Sequence, residues 1–165
     1  MSDRLHYIID GYNYILRHFH INFDEEDALW RAREQLIHQM ITFLGQKKIR
    51  ITVVFDGQDL KGITDIHRPA GIKVRFSKAP QKADPLIIDM VKKAKTPQTI
   101  IVVTSDTGLG TITKSYGSDS MTSEEFAGKL ARDHQKFEIS DKYETKMSSK
   151  ELEEWLRLFG ESDKD

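Results

Sequence analysis

Two hydrophobic periods alternate along this chain, and their alternation predicts the fold class. Strand-sized apolar runs occur at Leu5–Ile9, Ile49–Phe55, Ile72–Phe76 and Thr99–Thr104. The β-branched content of Ile49–Phe55 suits a largely buried strand. Between these runs the spacing becomes helical. Leu29, Ala32, Leu36, Ile37, Met40, Ile41 and Leu44 predict a helix from Asp24 or Glu25 to Leu44. Asp24, Glu25, Glu26 and Asp27 suit its positive end, and Gly45 with Lys47 and Lys48 suits its close. Asp84 followed by Pro85 reads as an N-cap and first helical residue, ahead of an apolar face of Leu86, Ile87, Met90, Val91 and Ala94. Pro97 closes that unit. Strands alternating with helices are the mark of a parallel sheet with right-handed crossovers. The expected architecture is a three-layer α/β/α fold with a mostly parallel central sheet.

Farther along, Thr122 and Glu125 form a capping box flanked by Met121 and Phe126, which predicts a short helix through Leu130. Ser148 and Glu151 offer a second box before Leu152, Trp155, Leu156 and Phe159. The polar connection carrying Gly57, Gly62, Pro69 and Gly71 is long for a compact domain, and such loops are often functional. A length of 165 residues with no Pro/Gly/Ser-rich linker predicts one domain over 1–165, in which 145–165 forms a C-terminal helix and acidic tail.

Composition narrows the chemistry. The chain has no cysteine, which removes disulfides, thiolate catalysis and thiolate-bound metals. None of its six histidines falls in an HExxH or related zinc spacing, and neither GxGxxG nor GxxxxGK[ST] is present. The N-terminal MSDRLHYIIDG lacks the apolar core of a signal peptide or membrane anchor, so a cytoplasmic protein without membrane partners is expected. A formal charge of −1 gives no strong long-range attraction to nucleic acid. Locally, however, Lys61, Arg68, Lys73, Arg75, Lys78 and Lys82 form a basic middle segment. Arg68, Lys73, Arg75, Lys78 and Lys82 are therefore candidates for contacts to an RNA backbone.

Four aspartates carry the functional signal. Asp10, Asp56 and Asp106 follow the runs YIID, ITVVFD and IIVVTSD, and Asp84 opens the helical stretch ADPLIIDMV. Parallel strands would gather the first three at one sheet edge, where open α/β folds place their sites. Singly, each has a bland role as a turn or cap residue. Jointly they exceed what turns require, because turn chemistry accepts Asn, Ser or Gly as readily. Crowded carboxylates without basic partners repel one another, and their natural occupant is Mg2+ or Mn2+. Asn13, just beyond Asp10, has an amide that can orient that carboxylate or meet a phosphate.

The segments IIDGYN (Ile8 to Asn13), VVFD (Val53 to Asp56), KAD (Lys82 to Asp84), VVTSD (Val102 to Asp106) and MTSEEF (Met121 to Phe126) resemble NYN-domain nucleases of the YacP type, within the PIN-like nuclease group. The resemblance spans most of Leu5 to Leu130 and implies a PIN-like fold. It also implies a metal-dependent ribonuclease in which Asp10, Asp56, Asp84 and Asp106 are the metal-site residues and Asn13 assists. Some members of that family act on messenger RNA in association with ribosomes. The chain departs from the pattern at Ile88, where relatives often carry glutamate, and in the Thr107–Gly110 segment TGLG that follows TSD. The expected activity is endonucleolytic hydrolysis of RNA, single-stranded or messenger, by metal-activated water. The rival expectation is a catalytically silent RNA-binding or ribosome-associated module.

Overall fold

A computed structural model describes residues 4–57, 70–78 and 81–144, with side chains as far as Lys136. Its elements run in the order β1 (His6–Asp10), α1 (Gly11–His18), α2 (Ala28–Leu44), β2 (Arg50–Phe55), β3 (Ile72–Phe76), α3 (Ala83–Lys93), a 3-10 turn (Pro97–Thr99), β4 (Ile100–Val103), α4 (Thr107–Ser115), β5 (Asp119–Met121) and α5 (Ser123–Glu144). Two compact units result, residues 1–128 and 129–165. The first holds the sheet; the described part of the second is helical. Arg68, the rest of 58–69 and the Ser148–Glu151 capping box lie outside the described residues.

All strand pairs are parallel, in the order β3-β2-β1-β4-β5. The chain moves outward from β1 through β2 to β3, then continues on the other side of β1 with β4 and β5. This makes the gap between the carboxyl ends of β1 and β4 a topological switch point, where open α/β sheets form their crevices. Ile8, Val54, Ile100 and Val102 share one sheet face and pack with Ala83, Leu86, Ile87 and Val91 of α3 and Leu109 of α4. The opposite face carries an aromatic cluster. Tyr7, Phe43 of α2 and Phe126 of α5 meet with ring centroids 5.5–5.7 Å apart, as edge-on or tilted pairs. The architecture is three-layer α/β/α, as the periodicity predicted.

Element boundaries moved for identifiable reasons. α2 begins at Ala28, because Asp24–Asp27 form a turn ahead of it in which Arg31 pairs with Glu25 and, at 3.2 Å, with Asp27. α3 begins at Ala83, so Asp84 lies inside the first helical turn and Lys82 occupies the N-cap. α1 had no clear sequence signature. Its Gly, Tyr and Asn residues are modest helix formers, and only packing against α2 and β2 reveals their helical role. α5 runs well past Leu130, to Glu144. Among the described residues no helix is long and apolar enough to cross a membrane.

Candidate functional site

Strand period places the site. Side chains alternate between faces, so Asp10 follows Ile8, Asp56 follows Val54 and Thr104 follows Val102 on the face covered by α3 and α4. Asp106 lies two residues beyond Thr104 and caps α4, its Oδ1 accepting from the Leu109 backbone N–H at 3.2 Å. Asp84 enters from the first turn of α3. At Gly11 a Cβ would overlap the Phe55 ring and come within 3.0 Å of the Val54 carbonyl, so only glycine lets α1 leave the strand this closely.

Asp10 and Asp84 each feel neighbouring carboxylates. Burial raises the Asp10 pKa to about 6, with further upward pressure from Asp84 and Asp106. A hydrogen bond from Thr104 Oγ1 at 3.1 Å and the nearby Asn13 backbone N–H work in the opposite direction. Asp84 is also raised, first by burial and then by Asp106, with Asp56 adding to the effect and Lys82 opposing it. Asp56 Oδ1 is buried with no hydrogen-bond partner among the described residues. Mutual repulsion together with an orphaned buried carboxylate oxygen is the chemistry of a hard-cation site. Carboxylate oxygens are the type of donor that a hard cation such as Mg2+ or Mn2+ takes. Among the described residues, no group of three or more His, Asp or Glu side chains is placed to hold an ion.

Asn13 joins three elements at this edge. Its Oδ1 accepts from the Ser105 backbone N–H at 3.0 Å and from Ser123 Oγ at 2.9 Å, tying α1 to the β4–α4 turn and to the start of α5. Ser105 Oγ accepts from the Ser123 backbone N–H and donates to Glu124 at 2.6 Å, while Arg17 holds the other Glu124 oxygen at 2.6 Å. These partners, Ser105 first and then Arg17, hold the Glu124 carboxyl down at about 2. Arg17, Ser123 and Glu124 were not among the residues the sequence singled out. Ser123 and Glu124 lay in view within MTSEEF, masked by the capping box formed by Thr122 and Glu125, which is present with Glu125 N–H donating to Thr122 Oγ1 at 3.0 Å. Arg33, only 1% exposed on α2, also escaped notice; it donates to the Tyr12 hydroxyl at 3.0 Å just beyond the site.

The basic candidates divide. Lys82 stands beside Asp84, and exposed Lys78 follows the carboxyl end of β3. Lys73 and Arg75 instead project from within β3, where they pair in register with Thr52 and Val54. Ile88, at the position where glutamate was absent, packs against the apolar core, whereas Asp89 turns to an ion pair with Lys93 at 3.0 Å.

Known proteins agree with this architecture. The structure is similar to Rae1 (YacP) from Bacillus subtilis, with a TM-score of 0.72 and 22% identity over 98% of this chain and 90% of that one. A tryptophan-to-leucine mutant of the same protein matches with a TM-score of 0.69 and 21% identity, over 87% of this chain and 84% of the other. No curated protein sequence matches the chain. Residues 7–159 match the YacP-like NYN domain, and the chain therefore belongs to that family, within the PIN-like nuclease group.

Proposed function

We propose that this protein is a metal-dependent endoribonuclease whose site is the carboxylate edge formed by Asp10, Asp56, Asp84 and Asp106. The observation that supports this reading most is the carboxylate repulsion felt by Asp10, from Asp84 and Asp106, and by Asp84, from Asp106 and Asp56, at the switch point of a nuclease-family fold. The four aspartates would hold Mg2+ or Mn2+, and a cation there supplies Lewis-acid charge and a water activated for phosphodiester hydrolysis. Thr104 orients Asp10, while the Asn13 network keeps α1, the β4–α4 turn and the start of α5 in register. Lys78 and Lys82 provide positive charge for the RNA backbone beside the acids. Single-stranded RNA suits an open edge of this kind, and messenger RNA on the ribosome is the physiological context favoured by family membership.

The test incubates a mixed-sequence single-stranded RNA with the wild type and with Asp10→Asn/Asp106→Asn, in EDTA, Mg2+ or Mn2+, with and without ribosomes. Cleavage by the wild type should leave 5′-phosphate and 3′-hydroxyl ends, require the cation and fall at least ~100-fold in the double variant. Equal cleavage by both proteins would overturn the site. A second reading, a silent RNA-binding module, draws on the absence of a preformed three-ligand cluster among the described residues and on Ile88. RNA binding without turnover in every arm, unchanged by Asp10→Asn, would select it.

A further inference from the structure

Asn13 is tied to two parts of the carboxylate edge. Its backbone N–H serves the Asp10 carboxylate, and its side-chain Oδ1 accepts from the backbone N–H of Ser105, the residue before Asp106. A backbone N–H can only donate, so the amide atom 3.0 Å from Ser105 is oxygen and the other arm of the amide is the NH2 group. The second contact of Oδ1, at 2.9 Å, comes from the Ser123 hydroxyl.

An amide oxygen has two lone pairs, and here both are spent. The polarity of the surrounding bonds keeps them so. Glu124 is an ionised acceptor, its carboxyl held down at about 2 by Ser105 and then Arg17. It takes the Ser105 hydroxyl proton at 2.6 Å, and Ser105 Oγ in turn accepts from the Ser123 backbone N–H at 3.0 Å. The Ser123 hydroxyl proton is thus directed to Asn13, and a reversed amide would set the Asn13 NH2 group against the Ser105 N–H. The NH2 group has no such partner. Among the described residues it donates to no acceptor, and it is not sealed from solvent although Asn13 is half-buried.

A side chain whose oxygen is fully engaged and whose other arm carries only N–H protons cannot ligate a cation. What that arm needs is an oxygen, brought by whatever binds beside the aspartates. We propose that Asn13 contacts the substrate directly, its Nδ2 donating to a non-bridging oxygen of the phosphodiester at the carboxylate edge, and that it is not a ligand of the cation. This rests on the reading of that edge as a nuclease site. Such a donor holds the phosphate in register with the aspartates and stabilises the charge on its oxygens during displacement. Ser105, Ser123 and Glu124 are positioning residues that act through Asn13.

Asn13→Asp separates this role from the others, because its side chain can still accept from Ser105 and Ser123 while an oxygen replaces the donating nitrogen. Calorimetry without RNA should show that the variant binds Mn2+ no more weakly than wild type. Its kcat/KM for a short single-stranded RNA should fall at least about tenfold. The deficit should persist in roughly 0.5 M salt, which screens a charge acting only through space. A second measurement uses the wild-type chain alone: with Mg2+ present, added RNA should move the Asn13 side-chain NH2 resonances downfield. Cleavage by Asn13→Asp within about twofold of wild type overturns the proposal, since a cation ligand or a plain brace would tolerate the change. So does a deficit that follows weakened Mn2+ binding or disappears in salt, or an NH2 signal that RNA leaves unmoved. Wild type that binds RNA without cutting it removes the nuclease reading alone, and the comparison then passes to RNA affinity: a loss in Asn13→Asp supports the contact, and equal affinity overturns it. Wild type with no affinity for RNA overturns both.

Discussion

Asp10 is 8% exposed and surrounded by like charge, so its ionisation opposes folding of the metal-free protein. Its folded pKa, about 6, exceeds the ordinary 3.8. The folded state therefore holds the proton more tightly, and stability is lost as pH rises through that interval. Asp84 shifts in the same direction. His6 acts oppositely: its pKa falls from 6.5 to about 4, so the unfolded state binds the proton more tightly and stability is lost on acidification through that interval. The wild type in EDTA should thus show only a shallow change in unfolding free energy between these limits. Asp10→Asn should be more stable than wild type at pH 8 by on the order of 2 kcal/mol, and should lose stability on acidification. Denaturant titrations at several pH values test this. Equal stability of the two proteins in EDTA at pH 8 would contradict the electrostatic account. Added Mg2+ or Mn2+ should raise the melting temperature of wild type more than that of Asp10→Asn, by preferential binding to the folded site.

At the scale of elements, close backbone approach constrains how the chain leaves a strand. After β2, the Gly57 backbone N–H donates to Ser77 Oγ at 3.1 Å, and a Cβ at Gly57 would overlap the Ser77 carbonyl. The obstacle is backbone and cannot rotate aside. Gly57→Ala should cost about 1–3 kcal/mol or more, read as a lower denaturant midpoint with an unchanged m-value. It should also displace Asp56, so RNA cleavage should fall even at temperatures where the variant remains folded. The Asn13 junction yields a milder expectation. Ser123→Ala removes one of the hydrogen bonds to Asn13 Oδ1 and should cost about 1 kcal/mol. Cleavage should decrease more in Asn13→Ala, which frees the Ser105 backbone as well.

Across the whole molecule, a net charge of −1 conceals an uneven distribution, with carboxylates at the carboxyl end of the sheet and exposed Arg50 at the start of β2. Binding to single-stranded RNA should therefore depend on local charge and strengthen as salt is lowered, despite the absence of overall attraction. Replacing Lys78 and Lys82 by Gln should weaken RNA binding and reduce the slope of log K against log salt by about 0.7 for each phosphate no longer neutralised. A slope identical to wild type would place the RNA path away from these lysines.

Much of this architecture was legible before folding was considered. Apolar period identified the four longer strands and the helices α2 and α3, and residue type marked the aspartates at their ends. Both signals are local, because a strand or amphipathic helix declares its buried face within a few residues. α1 escaped because its residues favour no state strongly, and α5 was read short because its apolar positions thin beyond Leu130. Tertiary structure alone decided that β4 lies beside β1, bringing Thr104 to Asp10 across 94 positions of sequence and Ser123 to Asn13 across 110. It also set His6 against Thr52 across 46 positions. Periodicity states which side of an element is buried; only packing decides which elements become neighbours, and the fields and hydrogen bonds at both ends of the sheet arise from those neighbours.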